Sequence, residues 1–541
     1  MPWFDCYSAP CRGGCPISQD IPEYLELCRK GLYNEALALI TERNALPFIT
    51  GTICMGKCTR NFYEDPVQIR AAKLLAAEKG IDARMASVVR PAPVPGKRAA
   101  IIGGGPTGIA AAYFLGRAGV ACTIFERTGK LGGIVRHVIP AFRISDEAID
   151  RDIALMQAYG AEVRLNTEAP SVEELHKMGY THILCATGAW KPGKLNIPGN
   201  VRGVIGWMQE RKAGANEPLG HVAVVGGGNT AMDAARVAKR GGAASVTLVY
   251  RRTRRFMPAD AQELELAMQD GVDFLELAAP VKQENGVLTC EKMRLGEPDA
   301  SGRRSPVPTG ETVELLCDLV ISAVGEQVEE QVFADNGITL SSKGRPAFCT
   351  NVPGVYAAGD ALRGPATVVE GIADAARFAE AVIGAPYTYD IPAEAHPTEA
   401  EAIARKGILR APGKACCEGE RCLSCDTVCQ NCVDVCPNRA NVAVRLPDGR
   451  TEIVHVDKMC NECGNCTAFC PYASEPCKDK LTLFQTTEDM DDSRNFGFCF
   501  LPDGKVRARL TTETVGDPDE LPADAALLVR TIRDSYSYLY R

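Results

Sequence analysis

Short uninterrupted apolar runs mark the middle of the chain, and apolar residues at helical spacing mark its N-terminal end. Ala99 to Ile102 and Val355 to Ala357 are such runs, Val246 to Tyr250 is one broken only by Thr247, and each predicts a strand. Ile109 to Gly116 predicts a helix behind the first of them, and another is expected to start near Thr367. The stretch from Asp20 to Gly51 has helical periodicity and predicts a hairpin of helices. Asn441 to Val456 alternates about Pro447-Asp448-Gly449 and predicts a β-hairpin. Asp524 to Tyr540 predicts a last helix, capped by that aspartate.

The turns between these elements carry the first chemistry. After Ile102 the chain reads G-x-G-x-x-G with Gly103, Gly105 and Gly108, and Pro106 and Thr107 complete the turn. Glu126 follows Gly105 by 21 residues, at the end of a second strand. Such glycines let a pyrophosphate approach a helix N-terminus, and such a carboxylate binds a ribose hydroxyl pair. Gly132 and Gly133 follow as a flexible connection near the same ligand.

A second copy has Gly226, Gly228 and Ala231 in the small-residue variant of the turn, with Asn229 and Thr230 inside it. Its second strand ends in Arg251 and Arg252 rather than an acid, with Arg254 and Arg255 beyond. Arginines in place of the acid suit a 2′-phosphate, so NADPH is expected here; the alternative is a solvated basic loop. Further on, Gly359 and Asp360 end a strand, and Thr367 and Val368 open a helix. That carboxylate can take a ribityl hydroxyl while the helix N-terminus faces a flavin ring.

From about Ala9 to Val382 the chain resembles the glutamate synthase small-subunit family, which includes the flavin half of dihydropyrimidine dehydrogenase and the large subunit of electron-bifurcating transhydrogenases. The resemblance implies an FAD domain interrupted by an NADPH domain. Gly103, Ala186-Thr187-Gly188 and Gly359-Asp360 would frame FAD, and Gly226 to Ala231 with Arg251-Arg252 would bind NADPH. Ala186-Thr187-Gly188 and Ser322 to Gly325 resemble the crossover strands of the two domains.

Cysteines supply the second chemistry. Cys460, Cys463, Cys466 and Cys470-Pro471 fit the two-cluster ferredoxin run, whose fourth cysteine ligates the other cluster. Cys429, Cys432 and Cys436-Pro437 end in the same way, behind a leading Cys425 that stands one residue too far back, with Cys422 as its substitute. Two crossed sets are therefore expected: Cys425, Cys429, Cys432 and Cys470, and Cys460, Cys463, Cys466 and Cys436. Near the N-terminus, Cys15, Cys54 and Cys58 are expected to hold one further cluster, with Cys11 as fourth ligand and Cys6 as the weaker candidate. Relatives often hold two clusters there, but Trp3 and Phe62 stand where outer cysteines are expected. Zinc is the competing occupant of these arrays. Cys28, Cys122, Cys185, Cys290 and Cys317 read as packed core residues, and Cys416, Cys417 and Cys477 as spare thiols.

With 541 residues the chain needs several domains. The expected architecture is α/β: two Rossmann-like nucleotide-binding domains, the FAD domain interrupted by the NADPH domain, preceded by an α-helical iron–sulfur domain and followed by a ferredoxin-like 2[4Fe–4S] domain. The expected bounds are 1–95 for the N-terminal domain, 96–215 and 326–392 for the FAD halves, and 216–325 for the NADPH domain. A linker at 393–415, the ferredoxin-like domain at 416–480 and an extension at 481–541 complete the division.

A net charge of −8 provides no general footprint for nucleic acid or anionic membrane. The chain lacks the look of a leader at its start and has no apolar run long enough for a bilayer, so a cytoplasmic protein is expected. The 24 cysteines are then metal ligands and core residues rather than a disulfide framework. No nucleophile–base constellation is apparent, so no catalytic residue is assigned.

A flavin between a hydride donor and one-electron clusters implies an NADPH:acceptor oxidoreductase subunit with FAD, NADPH and about three [4Fe–4S] clusters. Its acceptor is expected to be a partner subunit or ferredoxin. The layout also resembles the selenate reductase iron–sulfur subunit and the NADPH-handling subunit of electron-bifurcating transhydrogenases, and spacing does not choose between them. A self-contained flavin reductase and a zinc-binding scaffold are the competing readings.

Overall fold

Apolar residues at helical spacing become three helices in the computed structural model: α1 (Ile21–Arg29), α2 (Tyr33–Arg43) and α3 (Ile69–Ala86). The structure describes residues 8–49, 51–299, 302–386, 391–410 and 418–541. Trp3, Cys6, Cys416 and Cys417 lie outside them. Pro22 stands in the first turn of α1, where a missing N–H loses no helical bond. Cys28 is buried on the same helix, as its packed reading expects.

Residues 41–50 and 82–388 form one unit. Its first series is β1 (Arg98–Ile102), α4 (Pro106–Arg117), β2 (Ala121–Phe125), β3 (Glu162–Arg164) and β4 (His182–Cys185). The second is β5 (Val201–Gly203), β6 (His221–Val225), α5 (Asn229–Arg240), β7 (Ser245–Tyr250) and β8 (Asp273–Glu276). An antiparallel meander follows, β9 (Ala278–Glu284), β10 (Val287–Pro298) and β11 (Arg304–Leu316), then β12 (Leu319–Ser322). β13 (Val355–Ala357) and α6 (Val368–Ile383) come last.

Two five-stranded parallel sheets result, in the orders β13-β4-β1-β2-β3 and β5-β12-β6-β7-β8. The second sheet lies in sequence between β4 and β13 of the first, so one dinucleotide fold interrupts the other. Strands buried on both faces need near-continuous apolar runs, which is why Ala99–Ile101 and Val222–Val224 are buried. Cys122, Cys185, Cys290 and Cys317 are buried in this unit.

Residues 1–40, 51–81 and 389–541 form the other unit. The expected hairpin is β14 (Asn441–Arg445) against β15 (Thr451–Val456), turning through Gly449 at φ +89°. It does not stop there. A six-stranded sheet continues through β16 (Thr482–Leu483), β17 (Gly497–Phe500), β18 (Val506–Arg509) and β19 (Glu513–Gly516), covered by α7 (Ala523–Ser535). The extension is thus built into the core of the hairpin. The cap of α7 is Pro522, without a side-chain bond; Asp524 lies in the first turn and pairs with Arg450 at 2.9 Å.

The described part of the segment expected as a linker, residues 393–410, is also packed. It carries the helix Glu399–Ala404, closed by a reciprocal cap between Thr398 and Glu401, and Arg405 beside it is buried. Among the described residues no helix is long and apolar enough to cross a membrane.

Candidate cofactor and cluster sites

β1 delivers Gly103 to the start of α4. A Cβ on Gly103 would lie 2.4 Å from the Ala186 carbonyl oxygen, and one on Gly108 would lie 2.0 Å from that of Gly103. Only glycine permits a turn this tight, and the turn leaves the N-terminus of α4 open to an anion. Gly105 precedes the helix, Pro106 is its first residue and Thr107 its second. Glu126, buried at the end of β2, accepts from Gly104 N and Thr128 N, each at 2.8 Å. The carboxylate is therefore fixed against the turn. Gly132 N donates to Gly104 O at 2.8 Å, and a Cβ on Gly133 would meet Gly105 Cα at 2.8 Å.

The later FAD candidates reach the same turn. Ala186, Thr187 and Gly188 leave β4 against Gly103. Gly359, at φ +63°, follows β13 and donates its N–H to Asp374 Oδ2 at 3.0 Å. Thr107 Oγ1 fills the space a Cβ on Gly359 or Gly371 would need, at 2.3 and 2.5 Å, so α4 and α6 pack closely there. Thr367 caps α6 reciprocally with Glu370, and Val368 is its first residue.

Burial pushes the Asp360 carboxyl up to about 7, with Glu326, Glu370 and Asp374 adding to it against the Ala366 N–H. Sequence reading passed over Glu326, whose buried Oε1 has no hydrogen-bond partner. Its one signal was an acid directly after the Ser322–Gly325 crossover.

In the second sheet a Cβ on Gly226 would meet the Ala323 oxygen at 2.3 Å, and Ala231 is wholly buried. Gly228 precedes α5, which Asn229 and Thr230 open. Asn229 Oδ1 accepts from Asp260 N at 3.0 Å. β7 ends at Tyr250, leaving Arg251 exposed and Arg252 half-buried. Arg252 Nε is buried and lacks a hydrogen-bond partner. Arg254 is engaged elsewhere, with Glu265 at 3.3 Å. A desolvated guanidinium nitrogen at this strand end fits the anion expected there.

The other unit gathers the cysteines around three cavities. Cys436, Cys460, Cys463 and Cys466 line one, joined by Cys477. Backbone N–H groups of Ala440 and Glu462 donate to the sulfurs of Cys436 and Cys460 at 3.1 and 3.3 Å. Cys429, Cys432 and Cys470 line the second. Cys425 does not line that cavity; it lines the third, beside Cys422, Cys11 and Cys58. Cys15 and Cys54, expected with Cys11 and Cys58, line none of the three.

Every described cysteine is a free thiol, and among the described residues no three metal-binding side chains converge on a single-ion site. Thiols around a space rather than a point suit a cluster. Burial pushes Cys422 up to about 12 and Cys11 well above the ordinary thiol range, neighbouring thiols adding to the latter. Such groups become thiolates when a metal offsets their charge.

Residues 97–375 match the model of the pyridine nucleotide-disulphide oxidoreductases, which takes in both parallel sheets. The chain belongs to that family. Residues 3–84 match domain II of dihydropyrimidine dehydrogenase, with its 4Fe–4S cluster. The protein YgfK of Escherichia coli (strain K12) is 40% identical over 95% of this chain and 52% of its own length. The NADPH-Fe(3+) oxidoreductase subunit beta of Geobacter sulfurreducens (strain DL-1 / KN400) is 35% identical over 70% of this chain and 64% of its own. The glutamate synthase [NADPH] small chain of E. coli is 30% identical over 70% of this chain and 89% of its own. The chain thus spans about half the length of the first relative. The expected family, α/β class, oxidoreductase assignment and FAD, NADPH and 4Fe–4S cofactors stand on these matches and on the fit of the turns and cavities above.

Proposed function

We propose that the chain is the electron-transfer module of a larger cytoplasmic oxidoreductase, exchanging a hydride with NADPH and passing single electrons to or from a partner subunit or a ferredoxin. FAD, when bound, supplies the conversion between a hydride and single electrons. The residues do the rest. The open turn at Gly103–Gly108 and the carboxylates of Glu126 and Asp360 hold the flavin nucleotide, and Arg251 and Arg252 select the phosphorylated nicotinamide cofactor. The thiols of Cys429, Cys432 and Cys470, and of Cys436, Cys460, Cys463 and Cys466, hold two ferredoxin-like clusters.

The observation carrying this reading is that one chain contains two interleaved dinucleotide folds and three cysteine-lined cavities. A flavin that only passed a hydride directly to a small substrate would not need one-electron sites. Anaerobic titration with NADPH tests it: flavin absorbance should bleach, and the broad iron–sulfur absorbance should then fall. Bleaching of the flavin with no change in the clusters would refute the reading.

A further inference from the structure

Cys422 and Cys425 line one cavity with the N-terminal Cys11 and Cys58, more than 350 positions away in sequence. The cavity they share with Cys11 and Cys58 is otherwise walled by apolar groups such as Leu25, Val67 and Ile69, with Thr59 as its polar member. No carboxylate or imidazole lines it. Thr59 Oγ1 lies 3.4 Å from Cys425 Sγ.

The approach is built rather than incidental. Arg60, wholly buried next to Thr59, donates Nε to Arg421 O at 2.5 Å and Nη2 to Arg405 O at 2.7 Å. Arg421 in turn pairs with Glu418 at 2.6 Å and donates to Asp65 O at 2.5 Å. Gly419 touches the backbone of α1; a Cβ there would lie 2.5 Å from Leu25 O. These bonds hold the peptide just before Cys422 against the helix that follows Cys11 and the turn that follows Cys58.

We infer that Cys11, Cys58, Cys422 and Cys425 together ligate a [4Fe–4S] cluster shared between the N-terminal and C-terminal segments. Four soft thiolates in an apolar, carboxylate-free pocket are the ligand set of such a cluster. The inference rests on the iron–sulfur reading above but assigns ligands that local spacing separates.

The test uses the full chain, purified anaerobically. Cys11→Ser, Cys422→Ser and Cys425→Ser should each lower iron by about four atoms per chain. All three should abolish the same electron paramagnetic resonance signal of the reduced protein, and Cys460→Ser should abolish a different one. Retention of the Cys460 resonance, from the same unit, together with FAD content reports whether each variant has folded. A second measurement needs no variant: stepwise chelation of the wild-type protein, with alkylation and mass spectrometry, should release these four thiols in one step distinct from Cys460. Unchanged iron in Cys422→Ser, loss in Cys425→Ser of the resonance that Cys429→Ser abolishes in place of the one Cys11→Ser abolishes, separate release of the four thiols, or zinc in place of iron would each overturn the assignment. Failure of the functional reading would look different, as native protein without iron or without flavin bleaching by NADPH.

Discussion

Arg405 and Glu26 form a buried ion pair, Nη2 to Oε2 at 2.7 Å, across 379 positions of sequence. Arg405 also reaches Ser424 Oγ at 3.3 Å, between Cys422 and Cys425. Burial works to raise the Glu26 carboxyl, but hydrogen bonds from Arg29 and Arg405 outweigh it and hold the group at about 2. A depressed carboxyl stabilises the fold above its ordinary value of 4.5 and loses that contribution as pH falls from there toward about 2.

Arg405→Ala should therefore destabilise the unit that holds the cysteines. Removing one partner of a buried pair costs about 3–5 kcal/mol, and the lower end is expected because Arg29 and Lys30 still face Glu26. Denaturant melts at neutral pH measure the loss. Glu26→Gln should flatten the loss of stability between pH 4.5 and 2.

Gly108→Ala should empty the flavin site. The added methyl meets the Gly103 oxygen at 2.0 Å, so the turn must open, and such overpacking costs about 1–3 kcal/mol. Protein purified with FAD in excess should retain at most a small fraction of native flavin by absorbance. Full flavin content would show that the turn is not the cradle.

Arg252→Ala should weaken NADPH far more than NADH. A charge-assisted contact contributes about 1.5–3 kcal/mol, which is roughly tenfold to hundredfold in affinity. Stopped-flow reduction of the flavin by each cofactor measures the change. Equal losses with both cofactors would remove the 2′-phosphate role from this side chain.

Iron analysis of the native chain should give about twelve atoms, one cubane for each cysteine-lined cavity. Cys436→Ser and Cys460→Ser should each remove about four and abolish the same resonance. Those residues share a cavity although each belongs to a different cysteine run.

Much of this was legible in the chain because it is local. A buried parallel strand must be a near-continuous apolar run, and a pyrophosphate turn must have glycines at fixed offsets, so β1, β7, β13 and the turns at Gly103 and Gly226 could be read directly. The meeting of Cys436 with Cys460, Cys463 and Cys466 was legible for the same reason: repeated short spacings encode the crossed arrangement. Local pattern misassigned the start of α7, where Pro522 takes the cap and Arg450 takes Asp524. It also read residues 393–415 as a linker, because the short capped helix and one buried arginine within 393–410 leave little periodic signal. The partners of Cys425 were beyond it altogether. Spacing puts that thiol beside Cys429, but buried arginines at 60, 405 and 421, each bonded to distant backbone or carboxylate groups, also bring its segment to a cavity lined by Cys58 and Cys11. Those bonds have no sequence period, since a long-range contact depends on where chain segments pack and not on how far apart they are numbered.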